Sequence, residues 1–298
     1  MNIINKYKST ILLFVLSSLW ALHFSLVKLV EADNNPFSIL VPLLLILCFL
    51  FYLVLKINNQ IFKFTLRKSI FFIIAGIFAY VIPLYVEFLV APKIDSGILV
   101  LIVSSVPVFT LLIVWLFRLL SINLRLILGT LSGLVGVSFI IFGNSDNTLN
   151  IWAILALIVP LSYSFDAIFM EKFWPLKLNT FQVAFGECLA SLILIIFLNF
   201  IMGTSIEEYT YWFKLESFWW LSIVTFIEIA LFFYLLKHNG AVFINLGSYL
   251  VMPAGFIWGF IIFGEMFTVV KFISTLFIIG TIFMIGSQDY KIKNTPIE

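Results

Sequence analysis

Apolar residues run along this chain in blocks of about 17–25, the length at which an α-helix crosses the hydrocarbon of a bilayer, and polar positions fall between the blocks. Membrane strands would alternate over about ten residues. These blocks do not alternate, so they predict helices. Ten spans follow, at 10–30, 36–55, 69–90, 96–117, 125–143, 150–170, 180–202, 217–236, 241–263 and 269–287. The connections are short, and the longest polar stretch, 203–216, holds Glu207, Glu208, Lys214 and Glu216. Composition agrees: 63% of residues are hydrophobic, 11% are charged and the mean hydropathy is +1.17. A soluble domain carries about a quarter charged residues, so the main solvent here is lipid. Lys6 and Lys8 before the first block resemble a signal peptide, but nine spans follow and no small-residue cleavage site is evident, so a first helix is expected. Cys48 and Cys188 lie inside apolar blocks and are expected to pack as small hydrophobes. Neither a disulfide frame nor a metal site is expected, and the net charge of +2 gives no reason to expect a nucleic-acid partner.

With ten spans both termini share one side. That side holds thirteen cations, including Lys6, Lys8, Lys56, Lys63, Arg67 and Lys68, while the other holds four: Lys28, Lys93, Lys214 and Lys271. The excess of Lys and Arg on cytoplasmic loops then puts both termini in the cytoplasm of a cell (inner) membrane. Five spans per half is an odd number, so the halves 1–146 and 147–298 must enter the membrane in opposite directions. Inverted repeats are a transporter architecture, with the substrate site near the midplane where the halves meet. Pro107 and Pro253 fall at matching places of the two halves and are the expected helix-kinking hinges.

Candidate chemistry follows from polar residues inside the blocks. Trp20 and His23 are three apart on the first span, and Tyr163 and Asp166 are three apart on the sixth. Each pair shares a helix face and puts an aromatic ring beside an ionisable group. Glu87, Glu187 and Glu228 also fall within spans. A carboxylate at a helix centre costs roughly 3 kcal/mol on insertion scales, so each must face a cavity or a partner. Tyr80, Tyr85, Tyr234, Tyr249 and Trp258 combine a flat apolar face with a polar handle and are further cavity candidates. His23, with a reference pKa of about 6.5, could relay protons. The plain alternative for the carboxyls and His23 is a paired or hydrogen-bonded group between helices, and for the aromatic residues the belt at the membrane interface. Lys28 and Glu265 sit at span ends, where an interfacial charge is the expected reading.

The stretch SLWALHFSLVKLV at 18–30 is similar to the first helix of EamA-type ten-helix members of the drug/metabolite transporter superfamily, with Trp20 and Lys28 at matching places. SYLVMPAGFIWGFIIFGE at 248–265 resembles their ninth helix, including Tyr249, Pro253 and the Gly264-Glu265 ending. VSSVPVFTLLIVWLF at 103–117 is similar to their fourth. The chain departs from the pattern at Phe117-Arg118, where a Gly-Glu ending is common, and at Tyr163, where Trp is usual. The resemblance implies an all-α membrane protein of ten transmembrane helices in two inverted five-helix repeats. It also implies transport of amino acids, other metabolites or toxic compounds, mostly outward.

The expected function is therefore secondary transport of a small amphipathic metabolite by alternating access. Proton coupling and the choice between monomer and homodimer stay open. No enzyme or cofactor is expected: His23 and His238 are far apart, and neither HExxH, GxSxG nor a phosphate-cradling glycine loop occurs. A non-transporting assembly subunit or an intramembrane enzyme remains the alternative. No channel filter or ring of like residues is visible.

Overall fold

In the computed structural model, residues 3–30, 35–117, 124–142, 151–175, 177–202, 205–245 and 247–285 are described. Among them there is no strand. The helices are α1 (Ile3–Val30), α2 (Pro36–Ile57), α3 (Leu66–Gly76), α4 (Ile82–Val90), α5 (Ser96–Val103), α6 (Val106–Leu116) and α7 (Leu124–Phe142). They continue as α8 (Ile151–Ala156), α9 (Ile158–Phe173), α10 (Thr180–Met202), α11 (Ile206–Trp212), α12 (Glu216–Asn245), α13 (Ser248–Phe263) and α14 (Val269–Ile285). Among the described residues seven segments are long and apolar enough to cross a membrane: Lys8–Val30, Pro36–Ile57, Leu66–Lys93, Ser96–Leu116, Ile151–Met170, Thr180–Ile201 and Glu216–Leu235. Shorter apolar helices run over Ile127–Phe139, Leu250–Phe263 and Val269–Gly280.

Three of the long segments are broken, each beside a proline. Five residues, Ile77–Val81, form a π turn between α3 and α4, just before Pro83. The fourth block breaks at Ser104-Ser105, so Pro107 lies in the first turn of α6. The sixth breaks at Leu157, before Pro160. A proline has no N–H to give and its ring crowds the preceding turn, so the regular ladder cannot run through. Pro253 instead lies inside α13 and is exposed.

One boundary differs from the sequence expectation. Lys237-His238-Asn239-Gly240 reads as a loop between the eighth and ninth spans, but α12 runs unbroken through it to Asn245. The turn comes at Gly247, where α12 ends against α1. A Cβ there would sit 2.9 Å from both the Ile244 carbonyl oxygen and Ser17 Oγ. The polar stretch 203–216 also holds a helix, α11. Its Ser205 and Glu208 form a reciprocal capping box. Trp212 anchors it, donating from Nε1 to Ser38 Oγ at 3.0 Å.

The helices pack in a regular scheme. α1 lies against α12 and α13, α9 against α4 and α6, α2 against α10, α7 against α14 and α5 against α13. Polar contacts sort the connections into two ends. At one end Asn35 Nδ2 donates to Glu208 Oε2 at 2.8 Å, and at the other Asn179 Nδ2 donates to Gln60 Oε1 at 2.8 Å. The core draws on both halves, with Leu43, Phe51, Phe72, Phe88, Cys188 and Phe218 all buried.

α3 and α10 approach closely through glycine. A Cβ at Gly186 would fall within van der Waals contact of the buried Phe72 ring, and one at Gly76 would meet Ser191 Oγ. Small residues let membrane helices approach in this way. Gly186→Val is therefore expected to overpack the contact and destabilise the protein by about 1–3 kcal/mol. Thermal unfolding in detergent checks this; an unchanged Tm would show that the Phe72 ring can move aside.

Candidate functional site

The buried centre is built on His23 of α1. Its Nδ1 lies 2.9 Å from Glu228 Oε1 of α12 and 3.2 Å from Thr225 Oγ1. Its Nε2 faces Glu87 Oε2 of α4 at 3.3 Å. That last contact is an ion-pair approach without hydrogen-bond geometry, so Glu87 Oε2 has no hydrogen-bond partner among the described residues. Tyr163 of α9 donates to the other oxygen, Glu87 Oε1, at 2.9 Å. His23 is 4% exposed, Glu87 0% and Glu228 6%, so these three side chains are cut off from solvent, while Tyr163 is half-buried. An imidazolium bridging two carboxylates offsets part of the cost of holding them in an apolar interior.

A second pair of carboxyls lies beside it. Asp166 of α9 and Glu187 of α10 lie within electrostatic range of one another and of Tyr80 in the π turn. Asp166 Oδ1 and Glu187 Oε1 are buried without a hydrogen-bond partner among the described residues. Cys188 neighbours Tyr80, and both cysteines are free and buried.

The sequence places His23, Tyr80, Glu187 and Glu228 on four different spans and Tyr163 and Asp166 together on a fifth; the fold gathers them into these two adjoining groups. The faces carrying His23 and Tyr163 meet through Glu87, a residue whose centrality the sequence alone does not single out. Trp20 stands at the edge, its ring 5.9 Å from that of Phe232. Trp258 donates to Ser18 Oγ at 3.3 Å, joining α13 to α1. Tyr234 lies apart, its ring 4.2 Å from that of His238. The side chain of Tyr249 lies outside the described residues.

Thr225, Ser162 and Ser164 are polar neighbours of these groups that the sequence alone does not single out. Thr225 could have been found from its position three residues before Glu228, on the same helix face. Ser162 and Ser164 serve the broken helices. Ser162 Oγ donates to the Phe78 carbonyl at 2.8 Å, the oxygen that Pro83 would serve in π register if it had an N–H. Ser164 Oγ donates to the Val106 carbonyl at 2.8 Å, at the start of α6. Among the described residues no group of three His, Cys, Asp or Glu side chains is arranged to hold a metal ion.

At one end of the bundle a second charged network joins the halves. Gly264, at φ +67°, ends α13 in a left-handed turn; its N–H bonds the Phe260 carbonyl and that of Glu265 bonds the Gly259 carbonyl. The turn aims Glu265 back at the N-terminus of α5. There its carboxylate accepts from Ser96 N at 2.7 Å and Gly97 N at 3.1 Å. Lys28 Nζ of α1 donates to Glu265 Oε1 at 2.8 Å. Lys271 Nζ pairs with Asp95 at 2.9 Å and approaches Glu265 at 3.8 Å. Lys28 and Glu265 are thus partners across the halves, not separate interfacial charges as expected. A carboxylate here complements both the dipole and the unpaired N–H groups of α5. Burial pushes the Glu265 carboxyl up, but Lys28 and the N–H groups of Gly97 and Ser96 outweigh it and hold it below its ordinary value.

Removing Glu265 leaves a lysine and two amides without their partner. Glu265→Gln is expected to lower stability by roughly 2 kcal/mol at neutral pH. The folded pKa is depressed, so this contribution is fully present above the unfolded value of about 4.3 and is lost as pH falls through the lower folded value. Tm measured against pH for both proteins should show a gap at pH 7 that closes in acid; a gap independent of pH would sink the assignment.

No curated protein matches the chain significantly. One solved crystal structure shares 14% identical residues with it, at a TM-score of 0.63, covering 94% of this chain and 96% of that one. At that identity the likeness shows the fold alone, but it shows it over nearly the whole length. Residues 8–142 match the model of the EamA-like transporter family. Through that match the first part of this multi-helical membrane protein is similar to the EamA-like transporters.

Proposed function

We propose that the protein is a secondary transporter that moves a small metabolite across a cell membrane by alternating access, with export as the direction. The observation that carries this reading is the His23 bridge. It ties Glu87 of the first half to Glu228 of the second, inside an EamA-like bundle. A buried ionic contact shared by two halves is one that a rocking motion must break and remake. A solute with a charged group supplies the replacement partner while the halves part.

Packing supports two five-helix units, 1–146 and 147–298, related by a twofold exchange. Under that exchange α1 against α12 and α13 becomes the sixth span against the third and fourth, which is the observed packing of α9 on α4 and α6. The pairs α2–α10, α5–α13 and α7–α14 map onto themselves. With ten crossings the halves are inverted and both termini are cytoplasmic, as the cation split suggests. The end-to-end sorting of the Asn35–Glu208 and Gln60–Asn179 contacts fits the same alternation. Pro107, at the break in the fourth span, and Pro253, inside α13, are hinge positions for the rocking.

Two measurements test the reading. Single cysteines placed at Asn59 and Lys214 should label from opposite faces of intact cells; labelling from one face would remove the inverted topology. In liposomes, His23→Gln protein that purifies as a folded species by size exclusion is expected to show solute counterflow reduced by roughly tenfold, about 1.4 kcal/mol of lost barrier lowering. Normal flux in that variant would detach the His23 bridge from transport.

A further inference from the structure

The connection between α2 and α3, KINNQIFKFTLRK at 56–68, carries the cations Lys56, Lys63, Arg67 and Lys68 and no acid. Lys68 is half-buried, its Nζ 5.9 Å from the centre of the Phe62 ring. Lys56, Lys63 and Arg67 are exposed, and among the described residues none of them joins an ion pair. Lys56 ends α2, where a cation complements the helix dipole, but Arg67 and Lys68 stand in the first turn of α3, where the dipole disfavours them. Between the charges Ile57 is 77% exposed, Ile61 62% and Leu66 79%. The loop is nonetheless held firmly. Gln60 N–H donates to the Leu55 carbonyl at 2.8 Å, and Gln60 accepts from Asn179 Nδ2 and Gln182 Nε2 of the other half, each at 2.8 Å. Phe62 turns inward, its ring 5.8 Å from that of Phe72 and 6.5 Å from that of Phe185. The exposed residues around these anchors thus form a fixed array, which a partner can meet without the cost of ordering the loop.

From this array we infer that the 56–68 connection is a docking surface for anionic phospholipid. Lys56, Lys63 and Arg67 meet the headgroup phosphates, and Ile57, Ile61 and Leu66 enter the acyl boundary beneath them. Cations interleaved with exposed aliphatic side chains are the composition of a segment that lies at headgroup depth on an anionic leaflet. The cation bias that orients a membrane protein needs charge alone and does not account for the aliphatic side chains between the charges. A zwitterionic lipid also offers a phosphate, but its own ammonium would stand among three cations with no acid of the loop to meet it. A headgroup of net negative charge has no such conflict. That the leaflet is the cytoplasmic one rests on the proposed topology; the binding itself does not.

The test titrates dioleoylphosphatidylglycerol and dioleoylphosphatidylcholine, which share their acyl chains, into the purified full chain in detergent. A lipid that binds only the folded state raises Tm by mass action. Phosphatidylglycerol is expected to act at lower concentration than phosphatidylcholine. Replacing the three exposed cations together, Lys56→Gln with Lys63→Gln and Arg67→Gln, should weaken the phosphatidylglycerol response by about a hundredfold, at about fivefold per cation, and leave the phosphatidylcholine response in place. Lys291→Gln with Lys293→Gln removes charge elsewhere and should change neither. In the wild type the preference for phosphatidylglycerol should shrink as ionic strength rises, an arm that needs no variant to fold. Inorganic phosphate at matched ionic strength should not reproduce the shift, because it brings no acyl chain to the aliphatic side chains. An equal response to the two lipids, a preference that survives the triple substitution or is lost equally in the control, indifference to salt, or a matching shift with phosphate would each overturn the surface. None of these readouts involves transport or sidedness, so their failure would leave the transporter reading intact.

Discussion

The long helices of this bundle have lipid as their main solvent, and lipid offers nothing to a carboxylate. An unpaired charge at membrane depth is costly by any estimate. The helices that carry such charges must therefore turn them toward one another. His23 makes that possible for two of them, because one imidazole has two nitrogens on opposite edges and can face two acids at once. Through it α1, α4 and α12 are tied at one point, and Tyr163 brings in α9 through Glu87. The polar centre thus specifies which faces of four helices meet, a task that apolar packing alone does loosely in a lipid environment.

The backbone obeys the same rule. Lipid cannot satisfy a carbonyl freed by proline, so a broken helix must find a donor inside the protein. α9 supplies one: Ser162 serves the Phe78 carbonyl of the π turn in the third span. Ser164, on the other side of Tyr163, ties α9 to the Val106 carbonyl at the start of α6, an oxygen that Thr110 Oγ1 also serves. Three consecutive residues of α9 therefore hold two helix breaks and one carboxylate in place. The breaks lie beside the polar centre, and the serines make it affordable to keep them there.

Much of the fold was legible because lipid imposes a coarse rule. Block length, block spacing and sparse charge are enough to locate the helices and to exclude strands. The α12 boundary was not legible, since a Lys-His-Asn-Gly run favours a loop only as an isolated stretch, whereas here the contact of Gly247 with α1 decides where the chain turns. The site was legible as residue types: His23, Asp166, Glu187 and Glu228 stand out because lipid penalises them. Their pairing was not, because it depends on which helices are neighbours. Glu265 shows the limit most clearly. At a span end it reads as an interfacial charge, and only the left-handed turn at Gly264 reveals that it caps a helix of the other half.

The two ends of the bundle are held by different chemistry. One carries Lys28–Glu265 and Lys271–Asp95, charged pairs that join the halves and cap α5. The contacts at the other, Gln60 with Asn179 and Gln182, are neutral amide hydrogen bonds and solvent-exposed. A charge-assisted bond in a half-buried setting is worth roughly twice a neutral one. If the halves rock, opening at the Glu265 end must separate ammonium from carboxylate and uncover the N–H groups of α5, whereas opening at the Gln60 end exchanges amide contacts for water. The resting bundle is therefore biased toward closure at the Glu265 end. In the proposed topology that is the outer face, so the empty protein would rest with its site turned to the cytoplasm, the orientation from which an exporter collects its solute.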